Sequence, residues 1–362
     1  MEYLNLLKEL MGAFGPSGYE GDVASAFRRE MEKTADHVET DRIGNVVARY
    51  DGAVQNSPVI MAFAHMDSVG FIVRKIEKDG FIGLDRLGGI PEKVLPGLNM
   101  RVRTTDGGYI DGVIGGKSHH AVSEEEKYRA NKIAELYLDI GASSGARARE
   151  LGVEIGCPAV YRPFFQPLAD GFVSGTFVDN RGGLTALAAA GELLKHSRSA
   201  STAYLVGTVW EEFNLRGGAL AARRLRPDVA IGLDVALAGD TRDLESRYET
   251  ACGKGPVLMH YTFHGRGTLN GTLPHMRLSQ LAAGAAKYNN IPLQHFAGIG
   301  MLTDSAYIQL EGEGPAALEL GFPARYTHTP SEVADTADIL RLAELLAAMI
   351  GGIGPGFDLN RF

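Results

Sequence analysis

The sequence predicts an α/β fold that is interrupted by a smaller, β-rich domain. Three apolar runs, at residues 59–64, 204–210 and 229–233, have the length and continuous hydrophobicity of buried parallel strands, and each is followed by an acidic residue or a histidine. Between residues 70 and 167 the pattern changes to short β-rich runs separated by glycine-rich turns, which is typical of an all-β unit. Helical and strand patterns alternate again after residue 171.

Composition limits the class of protein. The 362 residues are 45% hydrophobic and 22% charged, which is enough to bury a large core in about two domains. A net charge of −8 predicts no nucleic-acid partner, and the apolar helix candidates are too short for a membrane role. Cys157 and Cys252 are too few for a disulfide framework and fit the cytoplasm, and residues 1–10 predict an amphipathic helix rather than a cationic signal peptide.

Local patterns predict the elements in chain order. Ser17 and Glu20 resemble a capping box at the start of a helix that continues to about Met31. The predicted strands that follow are 46–49, 59–64, 71–73, 81–84, 101–103 and 109–114, and the later predicted helices are 182–194 and 337–350.

The middle segment is predicted to be an insertion, because the candidate functional residues lie only in the outer segments. Residues 1–69 and 168–362 would form the catalytic α/β domain, and residues 70–167 the inserted β-rich domain. Such insertions succeed at exposed loops of a host that folds around them.

Acidic residues and histidines follow the three apolar runs, at the strand ends where ligands bind in open α/β sheets. Imidazole and carboxylate ligands without thiolates suit zinc, with cobalt or manganese as alternatives, and a carboxylate can bridge two ions. The sequence therefore predicts two divalent metal ions per subunit. Asp179 is the predicted bridge, and the other predicted ligands are His65 and Asp234 for one ion and Glu212 and His328 for the other.

Two further acids receive catalytic roles. Asp67 lies two residues after His65 and is expected to accept the second ring N–H of that histidine. Glu211, next to a predicted ligand, is expected to be the general base that takes a proton from the attacking water. Its position after Trp210 predicts a raised pKa.

Simpler structural roles remain open for several of these residues. Asp179 with Asn180 can cap a helix, the Glu211-Glu212 pair can lie on a helix surface, and His65 can be a buried histidine with satisfied hydrogen bonds. Asp234 is harder to explain in this way because a buried, unpaired charge is costly. The loop 303–305 is expected either to shape a substrate pocket or to cap a turn.

The chain resembles the tetrahedral aminopeptidases, a family of cytoplasmic two-metal peptidases whose members were often labelled endoglucanases. The resemblance runs nearly end to end and is carried by seven sequence motifs, at residues 15–20, 64–70, 88–89, 139–144, 211–217, 303–305 and 325–332. It implies a zinc-peptidase-like mixed sheet flanked by helices, with a small inserted PDZ-like β-rich domain used in assembly. It also implies the ligand roles given above and a homo-oligomer that reaches a tetrahedral dodecamer.

The sequence departs from the family pattern at two places. Asn180 occupies a position where a second aspartate is usual, and Phe213-Asn214 replaces a Val-Gly pair. The predicted ligands survive both changes. Either change can alter the pocket, the metal preference or the rate.

These patterns predict a metal-dependent aminopeptidase that removes N-terminal residues from short peptides. A metal-dependent deacylase or deacetylase on the same scaffold is an alternative, since both reactions pass through a tetrahedral oxyanion. A glycosidase would need two carboxyl groups and no metal, and the histidines among the acids argue against it. A catalytically silent homologue is the last alternative, for which Asn180 and Phe213 are the only hints.

Overall fold

The computed structural model describes residues 2–265 and 270–361. The helices are α1 (Glu2–Gly12), α2 (Gly21–Met31), α3 (Gly145–Glu150), α4 (Val178–His196), α5 (Gly217–Leu225), α6 (Met276–Tyr288), α7 (Ser305–Ile308) and α8 (Thr336–Gly352). The strands are β1 (His37–Thr40), β2 (Val46–Tyr50), β3 (Ile60–His65), β4 (Gly70–Ile76), β5 (Ile82–Leu87), β6 (Asn99–Arg103), β7 (Tyr109–Gly115), β8 (Tyr137–Asp139), β9 (Pro158–Tyr161), β10 (Phe165–Pro167), β11 (Phe172–Gly175), β12 (Ala203–Thr208), β13 (Val229–Leu237), β14 (Val257–Phe263), β15 (Gly271–Thr272), β16 (Gln294–Ile299), β17 (Ala316–Arg325) and β18 (Glu332–Asp335).

A large mixed sheet forms the centre of the molecule. Its strand order is β1-β2-β12-β3-β13-β17-β18-β11-β10, and β14 joins at β17 together with β15 and β16. Strands β12, β3, β13 and β17 are parallel neighbours, whereas β2 and β18 pair with this group in the antiparallel direction. The predicted buried parallel strands are confirmed, as is the mixed sheet flanked by helices.

Strand β3 shows why continuous apolar runs form this sheet. Its alternate residues Ile60, Ala62 and Ala64 pack into the core cluster that includes α1, α2, α4 and α8. The residues between them, Met61 and Phe63, pack on the opposite face with side chains of α5 and α7. Because side chains alternate across a strand, a strand covered by helices on both faces needs apolar residues throughout.

In the sequence, the strands of a closed β-barrel come after β3 and before β10 of the large sheet. The barrel's strands are β4-β5-β8-β7-β6-β9, and its interior is filled by side chains such as Phe71, Met100 and Leu138. The barrel strands run from Gly70 to Tyr161, and β10 already pairs with β11 of the large sheet. The predicted small β-rich domain is thus a closed barrel.

The predicted capping box before α2 is wrong. The α2 helix begins at Gly21 without a side-chain cap, and the Ser17 hydroxyl donates to Asp67 Oδ2 at 2.6 Å. Glu20 Oε1 instead accepts the main-chain N–H of Gly18 at 2.9 Å and of Trp210 at 3.2 Å. Asp67 is fully buried, so its carboxylate needs hydrogen-bond donors more than the exposed helix start does.

Among the described residues, none of the helices has both the length and the apolar character required to cross a bilayer.

Candidate metal centre

The predicted ligands converge at the carboxyl ends of the parallel strands. His65 ends β3, and Glu211 and Glu212 follow β12 after a short loop. Asp234 lies inside β13, which continues beyond the predicted run to Leu237. The other two come from outside these strands. Asp179 is in the first turn of α4, and His328 lies in the loop between β17 and β18.

One group of side chains surrounds the Nε2 atom of His65. Asp179 Oδ1 lies 3.1 Å from this nitrogen, Asp234 Oδ1 lies 3.8 Å away and Glu211 Oε2 lies 3.9 Å away. All four residues are buried. His65, Asp179 and Asp234 each offer one ligand atom within the separation that a single metal ion requires.

A second group surrounds the Nε2 atom of His328. Glu212 Oε1 lies 3.3 Å from this nitrogen and Asp179 Oδ2 lies 3.6 Å away. Asp179, Glu212 and His328 again have ligand atoms within reach of one ion. Asp179 therefore turns one carboxylate oxygen toward each histidine, which is the geometry of a carboxylate that bridges two ions.

Main-chain carbonyls set the tautomer of both histidines. His65 Nδ1 lies 3.0 Å from the carbonyl oxygen of Asp67, and His328 Nδ1 lies 2.6 Å from that of Gly89. A carbonyl oxygen only accepts, so Nδ1 carries a hydrogen in each ring, and Nε2 is the ring atom that faces the carboxylates. Nε2 can hold either a proton or a metal ion between itself and these carboxylates, so this donor set fits divalent metal ions.

The pKa shifts of the histidines and carboxylates in the candidate metal centre also indicate a cation site. Burial opposes the charged form of His65, yet the carboxylates of Glu211, Asp179 and Asp234 raise its pKa well above the usual value. Burial also opposes the charged form of His328, but Glu212 and Asp179 raise its pKa to about 9. Burial raises the pKa of Glu212 to about 7 and that of Asp234 above its usual value. The centre thus holds more buried acid than its histidines neutralise, as expected where a cation binds.

Asp67 makes a different contact from the predicted one. Its main-chain carbonyl, not its carboxylate, accepts the His65 ring hydrogen, since Oδ1 lies 3.6 Å from Nδ1. The carboxylate accepts the main-chain N–H of Glu211 and of Glu212, both at 3.0 Å, in addition to the Ser17 hydroxyl. Asp67 therefore positions the two adjacent glutamates through their backbone.

Glu332 is a site residue that sequence reasoning missed. Its Oε2 accepts the main-chain N–H of Asp179 at 3.0 Å, and its Oε1 accepts that of His328 at 2.6 Å. Burial raises its pKa to about 8. One side chain thus fixes the backbone of two predicted ligands. The sequence feature that could have identified Glu332 is its position as an acidic residue in a buried strand, because a buried carboxylate requires hydrogen-bond donors.

Arg181 belongs to the predicted site segment 179–181, but the sequence assigned it no role. It is fully buried, and its guanidinium donates to the carbonyl oxygens of Asp67 and Gly15, both at 3.4 Å. Burial lowers its pKa to about 10, which leaves it charged at neutral pH. It supplies a fixed positive charge beside the Asp67 carboxylate.

Residues 44–345 match the protein family described as M42 glutamyl aminopeptidase. The chain belongs to the M42 peptidase family. It is therefore a hydrolase of an aminopeptidase family, and peptidases of this family are metal-dependent. The Escherichia coli protein SgcX is 38% identical over 336 residues, which cover 92% of this chain and 90% of SgcX.

Two solved structures extend the similarity to the fold. Aminopeptidase APDkam598 from the archaeon Desulfurococcus kamchatkensis has a TM-score of 0.92 and 32% identity, covering 98% of this chain and 96% of that chain. The TET1 peptidase of Pyrococcus horikoshii, described as able to assemble into a tetrahedron or a large octahedral shell, has a TM-score of 0.82 and 28% identity. That comparison covers 96% of this chain and 99% of TET1. The resemblance to the tetrahedral aminopeptidases is confirmed.

The residues of the candidate metal centre, which we call the floor, line a cleft of about 710 Å³ in this M42 peptidase. All five predicted ligands and Glu211 line the cleft. Residues of the barrel segment, including Ile90 and Pro91, form part of its wall. The barrel thus contributes to the site, although the predicted ligands come from the large sheet and its connections.

At the departure from the family pattern at residues 213–214, the two residues lie in different surroundings. Phe213 is exposed on the surface, where the Arg216 guanidinium lies 4.7 Å from its ring centroid, and the cleft is lined by Asn214 instead. In the nearby 303–305 loop, Thr303 lines the cleft, which agrees with the expectation that this loop shapes a substrate pocket. Asp304 precedes α7 but makes no side-chain cap, and it accepts the Thr208 hydroxyl at 2.8 Å.

Proposed function

We propose that this protein is a metal-dependent aminopeptidase that hydrolyses N-terminal residues from short peptides with two divalent ions bound per chain. His65 and Asp234 would hold one ion, Glu212 and His328 the other, and Asp179 would bridge them. The observation that carries the proposal is the position of Asp179, whose two carboxylate oxygens face the Nε2 atoms of different histidines.

Zinc suits this ligand set best, and cobalt or manganese are alternatives. When bound, such ions would polarise the scissile carbonyl and lower the pKa of the attacking water. The chain's own contribution is to keep the ligand atoms fixed. Glu332, Asp67 and the carbonyl of Gly89 hold the ligands and their backbones in the orientation that bound ions require.

Glu211 is the proposed general base. Glu212 Oε1 lies 3.3 Å from His328 Nε2, and Glu211 Oε2 lies 3.9 Å from His65 Nε2. Glu211 is outside the two ligand groups that contain Asp179, although its carboxylate, His65 and Glu212 also have ligand atoms within reach of one ion. Burial raises the pKa of Glu211 well above its usual value. A carboxylate with a raised pKa can accept a proton from the attacking water and then donate it to the leaving amine.

The alternatives find less support in the geometry. A glycosidase needs two carboxyl groups on either side of a sugar bond, but here an imidazole nitrogen lies among the carboxylates. A deacylase could use the same floor, so the distinction depends on the substrate. A silent homologue would have no need to keep all the predicted ligands and their supporting hydrogen bonds.

We also propose that the protein assembles into a tetrahedral dodecamer in the cytoplasm, with the barrel segment mediating subunit contact. The support is the similarity to TET1, whose structure is described as a tetrahedron or an octahedral shell. A hollow particle would admit short peptides to the clefts and exclude folded proteins. The buried, unpaired state of Cys157 and Cys252 is compatible with a reducing compartment.

A panel of substrates tests the proposed activity. We expect the metal-loaded protein to hydrolyse aminoacyl chromogenic substrates and free peptides, to lose activity in chelator and to regain it on addition of zinc, cobalt or manganese. Preference for N-acetylated peptides over free ones would favour the deacylase. Activity on oligosaccharides that persists in chelator would favour the glycosidase, and inactivity on all substrates would favour the silent homologue.

A further inference from the structure

The wall of the cleft differs chemically from its floor. Among the described residues that line the cleft, the acidic ones all belong to the floor, and none is a lysine or an arginine. His264 also lines the cleft. The rest of the lining, which we call the wall, includes the polar residues Asn214, Thr303 and Thr327 and the large apolar residues Ile90, Leu215, Val235, Leu237, Met301 and Leu302.

The apolar wall begins next to the proposed ligands. Val235 directly follows Asp234 in β13, but its side chain packs in the main core; Leu237, two residues further along the same strand, is half-buried. Leu215 is buried, three residues after Glu212. A substrate whose N-terminal amine and scissile carbonyl are bound at the floor therefore has its first side chain within reach of these residues.

Residues of the wall pack against buried hydrophobic side chains rather than against solvent. Leu237 and Met301 pack against a buried cluster that contains Val257, Met259 and Phe296. On the other side of the cleft, Ile90 is 3% exposed and belongs to the core of the barrel. A charged side chain placed against these apolar residues would lose hydration, whereas an aliphatic side chain would gain from burial.

We propose that the cleft wall formed by Leu237, Met301 and Leu302 receives an uncharged, aliphatic N-terminal side chain, such as leucine or methionine. This inference rests on the proposed aminopeptidase function and specifies its substrate class. It differs from a preference for acidic residues, which the family description as glutamyl aminopeptidase would suggest. Pockets with a few polar groups at one end and apolar walls recognise substrates in this way.

The test combines turnover with binding. Rates are measured with leucyl, methionyl, glutamyl and lysyl chromogenic substrates, and dissociation constants are measured by NMR for free L-leucine, L-glutamate and L-lysine. We expect kcat/KM for leucyl and methionyl substrates to exceed that for glutamyl and lysyl substrates by at least about tenfold, with the same order in amino-acid binding. Equal or higher values for glutamyl or lysyl substrates would overturn the proposal.

Charged variants locate the pocket. Leu237→Glu places a carboxylate in the wall and is expected to shift the lysyl-to-leucyl ratio of kcat/KM at least about tenfold toward lysine. Leu302→Glu, in a loop, serves if the strand variant fails to fold. Leu310→Glu is the matched control, because Leu310 is 67% exposed and does not line the cleft. An unchanged ratio in the folded wall variants, or an equal shift in the control, would contradict the assignment.

Failure of the proposed function gives a different result from failure of this inference. If no aminoacyl substrate is hydrolysed but L-leucine still binds more tightly than L-glutamate and L-lysine, the aminopeptidase proposal fails and the apolar pocket stands. If no substrate is hydrolysed and the three amino acids bind alike, the apolar pocket fails as well.

Discussion

The side-chain amide of Asn180 donates to the main-chain carbonyl oxygen of Leu233 at 2.7 Å. Asn180 follows Asp179 and Leu233 precedes Asp234, so this hydrogen bond joins the backbones of two proposed ligands. The other atom of the amide, Oδ1, accepts the main-chain N–H of Gly183 at 3.0 Å. An aspartate at this position would have to be protonated to make the bond to Leu233.

Loss of this amide is expected to weaken both stability and metal binding. In Asn180→Ala the buried carbonyl of Leu233 and the N–H of Gly183 lose their partner, which should lower the free energy of unfolding by about 1–3 kcal/mol. The position of Asp234 relative to Asp179 should become less well defined, so metal affinity should fall. Denaturant unfolding and metal titration measure the two effects.

The control for this prediction is Asn289→Ala. Asn289 also donates its amide to a main-chain carbonyl, that of Ala285 at 2.8 Å, but it lies on the exposed end of α6. This variant should keep its metal affinity. Equal affinity in wild type and Asn180→Ala would show that Asn180 does not position the ligands.

The substitutions Glu211→Gln and Glu212→Gln should impair different steps, the first turnover and the second metal binding. The amide in Glu211→Gln cannot accept the proton of the attacking water, so turnover should fall by about 10²–10⁴-fold while metal content is unchanged. In Glu212→Gln the metal itself should bind more weakly, because an amide oxygen is a poorer ligand than a carboxylate. Metal analysis and turnover are measured on the same preparations. Near-normal turnover in Glu211→Gln, or loss of its metal, would contradict the assignment.

The number of ions bound should depend on which ligand is removed. Wild type is expected to bind two divalent ions per chain. Asp179→Ala should disrupt both sites because its two oxygens face different histidines, whereas His328→Ala should weaken only one. Isothermal titration of zinc into metal-free protein distinguishes these outcomes. If both variants bind two ions with unchanged affinity, the bridged arrangement is wrong.

The metal-free protein should lose stability as the pH rises from about 5 to 9. Burial raises the pKa of Glu212 to about 7 and of Glu332 to about 8, and despite burial the nearby acids raise that of His328 to about 9. Each group binds its proton more tightly in the folded than in the unfolded chain. Its stabilising effect is therefore complete below the unfolded pKa and is lost as the pH rises through the folded pKa.

The measurement is the melting temperature in chelator at pH 6.5 and pH 8.5. We expect the value at pH 8.5 to be lower by about 1–3 °C, which corresponds to roughly one or two kcal/mol for a chain of this size. Zinc should remove most of the difference, because the ions compensate the ionised acids. A melting temperature in chelator that is constant or rises with pH would refute the prediction.

Assembly is tested by the mass of the particle. Multi-angle light scattering at working concentration should report a homo-oligomer of up to twelve chains, built from dimers. Substitutions on the exposed surface of the barrel, such as Tyr128→Glu, should reduce the mass if this segment mediates contact, since Tyr128 is 85% exposed in the isolated chain. A monomer under all conditions would exclude the proposed assembly.

The sheet and the convergence of the predicted ligands could be read from the sequence because both follow from local pattern. Strands β3, β12 and β13 are continuous apolar runs, and residues that end parallel strands meet at one edge of a sheet. His65 and Glu211 could therefore be placed near each other from their positions after these runs. Asp179 and His328 lie outside the strands, so their place in the predicted set rested on residue type and on the family resemblance, not on a position at a strand end.

The supporting hydrogen bonds could not be predicted in the same way, since they join residues that are distant in sequence. Ser17 fits a local capping pattern, but its partner is Asp67, and the choice depends on burial that the sequence does not show. The acceptor for His65 is likewise a main-chain carbonyl, which no side-chain pattern encodes. The orientation of Phe213 away from the cleft is also a tertiary property.

The hydrogen bond from His328 to the carbonyl of Gly89 crosses from the large sheet to the loop after β5 of the barrel. The barrel therefore is not a detachable module, even though its strands form their own core. Exchanging it for the equivalent unit of a relative would leave the imidazole without its orienting acceptor unless this loop were kept. Any movement of the barrel at a subunit contact would also be transmitted directly to a proposed metal ligand, which gives assembly a physical route to influence turnover.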